Sequence, residues 1–225
     1  MPGSAQWRGS LIVGVLLCSA NALVVFAEQW VSSGLAAVVI ASVPLWVALF
    51  GGLFGSWPRR GDWLGLAVGL SGVALLNFGG DLRGSPLGAG LLVASTLCWA
   101  LGSVWGRHLP LPSGLAASGA QMFSGGAVLL TAGLASGERI TALPAALPLF
   151  AFLYLVVAGS MVAFSAYVYL LGRVRPVLAT SYAYVNPVVA VGLGAVVLGE
   201  RVTPLAIAAM ALVLAGVGIV AAAKR

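Results

Sequence analysis

Charged residues are scarce in this sequence. Of its 225 residues only 7% are Asp, Glu, Lys or Arg, whereas 61% are hydrophobic and the mean hydropathy is +1.09. A soluble domain usually carries about 25% charged residues. The composition therefore excludes the soluble classes and indicates an integral membrane protein.

Residues that carry enzyme chemistry are scarce as well. The chain has one His and five acidic residues, and metalloenzymes need clustered His, Asp or Glu ligands. Cys18 and Cys98 both fall inside predicted helices, so we interpret them as small apolar residues rather than as a disulfide or a metal pair. Neither a Gly-x-Ser-x-Gly motif nor a phosphate-binding loop occurs. We expect neither an enzyme nor a cofactor or metal.

Long apolar runs recur along the chain instead. A bilayer core about 30 Å thick needs about 20 apolar residues per helix, and the runs do not alternate as the strands of a membrane β-barrel do. Arg8 before the first run is reminiscent of a signal peptide, but Glu28, Gln29 and Trp30 follow where a cleavage site would be needed, so we expect this run to stay in the membrane. The sequence predicts an all-α membrane protein with about eight transmembrane helices, at 9–28, 33–54, 62–80, 86–106, 113–135, 146–170, 176–198 and 204–223.

Lys and Arg divide unevenly between alternate loops. Eight lie on one side and three on the other: Arg8, Arg59, Arg60, Arg107, Arg173, Arg175, Lys224 and Arg225 against Arg83, Arg139 and Arg201. Positive residues near helix ends stay on the cytoplasmic side, which predicts that both termini are cytoplasmic. The net charge of +6 follows from this distribution, so no nucleic-acid partner is expected, and the partners would be the lipid bilayer and a small-molecule substrate.

The sequence contains an internal repeat. A shift of 143 residues places Pro44 on Pro187, and a shift of 144 residues places Gly72 on Gly216. We predict a partial first repeat of three helices and a complete second repeat of five, in residues 1–80 and 84–225. Two copies of a unit with an odd number of helices lie inverted relative to each other, as in many secondary transporters.

Pro44 and Pro187 lie inside apolar segments, in corresponding positions of the two repeats. Interrupted helices in such positions indicate a binding site at the middle of the membrane. Proline also frees the carbonyl four residues earlier, here that of Ile40 and of Ala183. We predict that Asn186 and Pro187 break their helix around a solute. The alternative is that both prolines only kink packed helices.

Three stretches carry a family resemblance. They are "WVSSGLAAVVIASVPLWVALFGGLF" at 30–54, "LLVASTLCWALGSVWGRHLP" at 91–110 and "LATSYAYVNPVVAVGLGAVVLGERVTPLAIAAMALVLAGVGIV" at 178–220. They resemble the EamA-type members of the drug/metabolite transporter superfamily.

The resemblance implies a bacterial inner-membrane carrier with ten helices in two inverted repeats. Such a carrier exports small metabolites, such as amino acids, or drugs, by alternating access around a central cavity. This sequence matches without the first two helices of that plan. The alternative function is therefore a non-transporting fragment, or a subunit that needs a partner.

Polar and aromatic side chains inside the predicted helices are the candidates for a substrate cavity, because polar groups in hydrocarbon are costly unless they have partners. Glu28 could titrate during proton-coupled transport or simply mark the membrane interface. The aromatic rings could stack on a solute, and Gln121 could instead hydrogen-bond between helices. The complete candidate set is Asn21, Glu28, Pro44, Trp46, Trp99, Gln121, Tyr167, Tyr184, Asn186 and Pro187.

Gly61, Gly65 and Gly69 form a ridge that lets another helix approach closely. We expect this ridge to serve packing within the chain, with homodimer formation as the alternative. His108, beside Arg107 at a predicted helix end, is interpreted as a solvated flanking residue.

Overall fold

The computed structural model describes residues 2–78, 84–139, 144–198 and 202–223. Helices dominate these ranges, and the predicted all-α fold is confirmed. They are α1 (Ser4–Ala27), α2 (Ser33–Ile40), α3 (Val43–Leu53), α4 (Arg60–Leu76), α5 (Pro86–Trp105), α6 (Leu115–Ala135), α7 (Ala146–Tyr154), α8 (Ser165–Arg173), α9 (Pro176–Thr180), α10 (Tyr182–Leu198) and α11 (Pro204–Ala222). A π-helical segment, Leu155–Phe164, joins α7 to α8.

Each predicted helix has a counterpart among these elements. Within the described ranges, seven helical stretches are long and apolar enough to cross a membrane. The remaining predicted helix, 62–80, corresponds to α4, whose 17 residues span about 25 Å at 1.5 Å per residue. Positions 79 and 80 of that prediction lie outside the described residues, as do Arg83, Arg201, Lys224 and Arg225.

Two of the predicted helices are interrupted. Ala41 and Ser42 separate α2 from α3, and Pro44 lies in the first turn of α3, where a missing N–H costs nothing. In the second helix the interruption falls at Ser181, between α9 and α10. The prediction that Asn186 and Pro187 mark the break is therefore wrong, because α10 runs through Pro187.

The loops rich in arginine lie together at one end of the helices. Gln6 Nε2 donates to the Leu111 carbonyl at 3.4 Å, and Arg107 Nη1 donates to the Val174 carbonyl at 3.2 Å. At the opposite end, the Ser85 N–H donates to the Trp30 carbonyl at 3.0 Å. We call the first end the arginine-rich end. The helices thus alternate in direction as the loop pattern predicts.

Helices α4 and α11 pack closely through glycines. A Cβ on Gly65 would lie 2.7 Å from the Gly216 carbonyl oxygen, and one on Gly72 would lie 2.7 Å from the Val213 nitrogen. Gly216 in turn faces the backbone of Gly69. We call Gly65, Gly69, Gly72 and Gly216 the glycine seam. The predicted ridge on α4 is therefore used for packing inside the chain.

Helix α1 packs between α5 and α6. Gly14 of α1 lies against the Gln121 carbonyl of α6, so the two backbones come close. Ser124 Oγ donates to the Ser10 carbonyl at 3.0 Å, and Ser95 Oγ of α5 donates to the Ala20 carbonyl at 2.8 Å. Serine hydroxyls can join helices in this way where water is excluded. These contacts fix the side of α6 that faces α1.

Candidate solute-binding site

An aromatic cluster forms where α5, α8 and α10 meet. The ring centroids of Trp99 and Tyr167 are 5.2 Å apart, and those of Tyr167 and Tyr182 are 5.5 Å apart in an edge-to-face arrangement. Both separations fall in the range preferred by aromatic pairs. Trp99 and Tyr167, both predicted as cavity residues, are thus brought together.

A serine fixes the orientation of the tyrosine in this cluster. Ser103 lies one turn after Trp99 on α5, and its Oγ donates to the Trp99 carbonyl at 2.6 Å. Because that serine proton is in use, Tyr167 Oη must donate in the 2.5 Å bond between the two hydroxyls. Trp99 Nε1 is buried and has no hydrogen-bond partner among the described residues.

A cavity of about 610 Å³ lies beside the cluster, between α1, α5, α6 and α8. Its polar lining includes Ser103, Gln121 and Ser165. Gln121 is 2% exposed, and its Oε1 has no hydrogen-bond partner among the described residues. We call this space the Gln121 cavity. Its two charged lining residues, Arg107 and Arg173, are both exposed and lie at the arginine-rich end.

A second cavity of about 420 Å³ opens at the same end, around an ion pair between the buried Asp62 and the half-buried Arg175. Arg175 Nη1 lies 2.6 Å from Asp62 Oδ1, and Arg175 Nη2 donates to the Val220 carbonyl at 2.6 Å. Asp62 also accepts the Arg59 N–H at 3.1 Å and so caps the start of α4. One arginine thus ties α4 and α11 to the start of α9. We call this space the Asp62 cavity.

His108 also lines the Asp62 cavity. It is exposed, as predicted for a flanking residue, but its ring stacks on Phe54 with the centroids 4.9 Å apart. Arg107, the preceding residue, lines both cavities. The end of α5 therefore separates the two spaces.

Of the ten predicted site residues, all within the described ranges, Gln121 alone lines one of these two cavities. Tyr184 is fully buried, packs against Gly69, and donates to the Leu66 carbonyl at 3.4 Å. Trp46 Nε1 donates to Ser42 Oγ at 3.1 Å, and Pro44 is buried in the core. Tyr184 thus joins α10 to α4, while Trp46 and Pro44 lie at the start of α3.

Three polar candidates and one proline lie elsewhere on the surface. Asn21, Glu28 and Asn186 are exposed, and Pro187 is half-buried. The Asn21 side chain donates back to the Leu17 carbonyl of its own helix at 3.1 Å. The structure does not bring these four residues to the Gln121 cavity, so their role in binding stays a prediction.

Sequence reasoning missed Ser103, Ser165 and the two arginines of the Gln121 cavity. Ser103 could have been found, because residues four apart share a helix face and Trp99 was already a candidate. Arg107 and Arg173 were explained fully by the topology of the loops, and nothing in the sequence indicates that they line one cavity.

The EamA-like transporter family model matches residues 1–78 and 86–222. The chain is also 44% identical, over 218 residues, to the "Uncharacterized inner membrane transporter YedA" of Escherichia coli strain K12. That match covers 96% of this chain and 71% of the relative, and the protein of the same name from E. coli O157:H7 matches equally. This chain belongs to the EamA-like transporter family.

Comparison with solved structures supports the fold of this EamA-like transporter. A crystal structure that is 21% identical in sequence superposes with a TM-score of 0.76, over 93% of this chain and 74% of the other. The resemblance inferred from the three quoted stretches is confirmed. As a member of this family, the protein is a membrane transporter.

Proposed function

We propose that this EamA-like transporter is a secondary carrier that exports a small metabolite, amino acid-like, or a drug by alternating access. The observation that carries the proposal is the Gln121 cavity next to the aromatic cluster. Its volume of about 610 Å³ is within the roughly 300–1,000 Å³ typical of small-molecule sites. Aromatic faces and a few polar groups are the usual lining of such sites.

An arrangement as two inverted repeats, 1–80 and 84–225, is part of the proposal. The glycine seam supports it, because Gly69 faces Gly216 while Gly72 faces Val213. The 144-residue shift places Gly69 on Val213 and Gly72 on Gly216, so the two contacts correspond to each other. The Gln121 cavity would lie between α1 of the first repeat and α5, α6 and α8 of the second. Rocking of one repeat against the other would then open the cavity to either side.

We further propose that the arginine-rich end faces the cytoplasm, in a bacterial inner membrane. The loops at this end carry most of the arginines, and positive residues are retained on that side. A solute would then enter the Gln121 cavity past Arg107 and Arg173 before export.

Flux measurements on reconstituted protein test the proposal. Proteoliposomes that contain the full chain should accumulate or release a labelled solute, and Gln121→Leu should reduce that flux about tenfold, since a hydrogen bond to a buried polar group is lost. Tyr154→Phe, at an exposed position on α7, is the matched control and should leave flux unchanged. Equal flux in the Gln121 variant and the control would contradict the assignment of the cavity.

A subunit that transports only with a partner is the second candidate. Helix α7 has no buried residue, and half of the π-helical segment after it is exposed, including Val157, Met161 and Val162. A second copy of the chain, or another membrane helix, could cover this face. Flux from a purified monomer at one chain per vesicle would exclude this reading, whereas flux only from a dimer or a complex would favour it.

A further inference from the structure

We propose that the Gln121 cavity selects solutes that carry an anionic group, a carboxylate or a phosphate, together with a second polar group. Cationic drugs would be poor substrates. The inference rests on the proposed function, since it assigns a solute class to the same site. It is carried by the charges and unmet hydrogen bonds of the described lining residues.

The charge of the cavity has one sign. Arg107 and Arg173 line it, and none of the described lining residues is Asp or Glu. Asp62, the acid at this end, is bound to Arg175 and lines the other cavity. A cleft lined by one sign of charge concentrates ligands of the opposite sign.

Both arginines are placed to bind an anion. A guanidinium has five N–H donors in a planar fork that suits carboxylates and phosphates. Among the described residues, Arg107 is seen to use Nη1 alone, for the Val174 carbonyl. The Arg173 guanidinium lies 4.9 Å from the centre of the Tyr169 ring, and Tyr169 also lines the cavity. Stacking on that ring holds the charge beside the cavity.

Gln121 supplies the second point of recognition. Its side chain is buried, and leaving Oε1 unpaired is unfavourable relative to a group with a hydrogen-bond partner. A polar group of a bound solute would remove that cost. A solute held by the arginines at one end and by Gln121 at the other needs two polar ends, as an amino acid or a hydroxy acid has.

The aromatic cluster offers a reason to expect cationic solutes instead. Trp99 and Tyr167 could attract a cation through their ring faces, which is how many organic cations are bound. The structure favours the anion, because two full positive charges line the space and no described carboxylate balances them.

Binding of a chemically matched panel tests the proposal. Purified full-length protein is titrated with amino acids, their carboxamides, dicarboxylates, sugar phosphates, neutral nucleosides and quaternary ammonium drugs, and the melting temperature is followed. Ligands that bind are then assayed for flux in proteoliposomes. An amino acid and its carboxamide share a side chain and differ in the anionic group, so each pair isolates that group.

We expect carboxylates or phosphates to bind and their uncharged or cationic counterparts to bind at least about tenfold more weakly, the usual scale for a charge-assisted hydrogen bond. Arg107→Gln and Gln121→Leu should each weaken anion binding about tenfold. Arg107→Lys, which keeps the charge, should restore part of it. Arg60→Gln, at an exposed arginine of the same end that lines neither cavity, should have no effect.

The outcomes separate the two proposals. Binding and flux of cationic or neutral members alone would overturn the anion assignment and leave the export function standing. Anion binding that is equal in Arg107→Gln and Arg60→Gln would also overturn it. An absence of binding and flux for every class would overturn the proposed function, and this inference with it.

Discussion

The two interrupted helices break at a serine but place their prolines differently. Ser42 Oγ donates to the Val39 carbonyl at 2.6 Å, and Ser181 Oγ donates to the Leu178 carbonyl at 2.8 Å. In each helix the serine hydroxyl thus bonds the carbonyl three residues earlier, a contact that competes with regular helix hydrogen bonding. Pro44 follows its break by two residues, whereas Pro187 follows by six, so the shared feature of the two breaks is the serine.

The surroundings of the two breaks also differ. The second interrupted helix starts beside the Asp62–Arg175 ion pair, which joins it to α4 and α11. The first starts with a neutral cap, in which Ser32 Oγ accepts the Leu35 N–H at 3.3 Å. The start of the second helix is therefore held by a charged contact, and we expect the start of the first to be displaced more easily.

The largest effect should come from filling the glycine seam at Gly69, where Tyr184 of the second interrupted helix packs on α4. A Cβ on Gly69 would lie 2.8 Å from the Tyr184 ring of α10. Gly69→Leu should therefore abolish folding, because overpacking of this extent costs more than about 3 kcal/mol. The measurement is the yield of monodisperse protein in detergent. Gly126→Leu, at a glycine with open space around it, is the control, and equal yields would contradict close packing at the seam.

The second-largest effect should come from removing the Asp62–Arg175 ion pair. Asp62→Ala leaves Arg175 without its acid and removes the cap on the Arg59 N–H. We expect a loss of about 2–3 kcal/mol in unfolding free energy, because Asp62 is buried but Arg175 is only half-buried and can be partly solvated. Chemical unfolding followed by tryptophan fluorescence measures it.

A neutral replacement of Asp62 separates its ion pair with Arg175 from its cap on the Arg59 N–H. Asp62→Asn keeps an acceptor for the Arg59 N–H, so it should cost less than Asp62→Ala. Glu138→Gln, an exposed acid outside both cavities, should change little. An equal loss of unfolding free energy in the Glu138 variant would show that the Asp62–Arg175 ion pair has no special role.

A smaller effect should distinguish the two serines. Ser181→Ala should cost about 1 kcal/mol, the usual value of one buried hydrogen bond. Ser42→Ala should cost about twice as much, because Trp46 Nε1 also loses its acceptor. Unfolding of both variants under the same conditions measures the difference. If the order were reversed, the serine–tryptophan contact would not contribute to the first break.

The positions of the helices could be predicted because each follows from the composition and length of one apolar run in the sequence. All eight predicted helices have counterparts, most with ends that differ by a few residues, and the glycine ridge on α4 is packed inside the chain as expected. Trp99 and Tyr167, placed at mid-helix from the sequence, meet in the structure. A spacing along one helix is a local property, so it is visible without knowledge of the fold.

The grouping of side chains from separate helices could not be predicted. Asp62 and Arg175 are 113 positions apart in the chain, and the sequence indicates neither their pairing nor the side of α10 on which Tyr184 lies. Both depend on which helices become neighbours. The break at Ser181 was missed for another reason: proline was treated as the sign of an interruption, and Pro187 lies six residues beyond the break.

The smallest effect is expected at Pro187, and it bears most directly on the comparison of the two breaks. Since α10 runs through this residue, Pro187→Ala should restore a hydrogen bond to the Ala183 carbonyl without closing the break at Ser181. Alanine is the better helix former, so stability should stay within about 1 kcal/mol of the parent or rise.

Thermal unfolding measures this change, and Pro44→Ala is the counterpart at the first break. Pro44 is buried in the first turn of α3, so its replacement should cost slightly more through lost packing. A marked drop in melting temperature for Pro187→Ala, and none for Ser181→Ala, would indicate that Pro187 and not Ser181 determines the second break. The two interrupted helices would then break for different reasons, and serine would no longer be their common determinant.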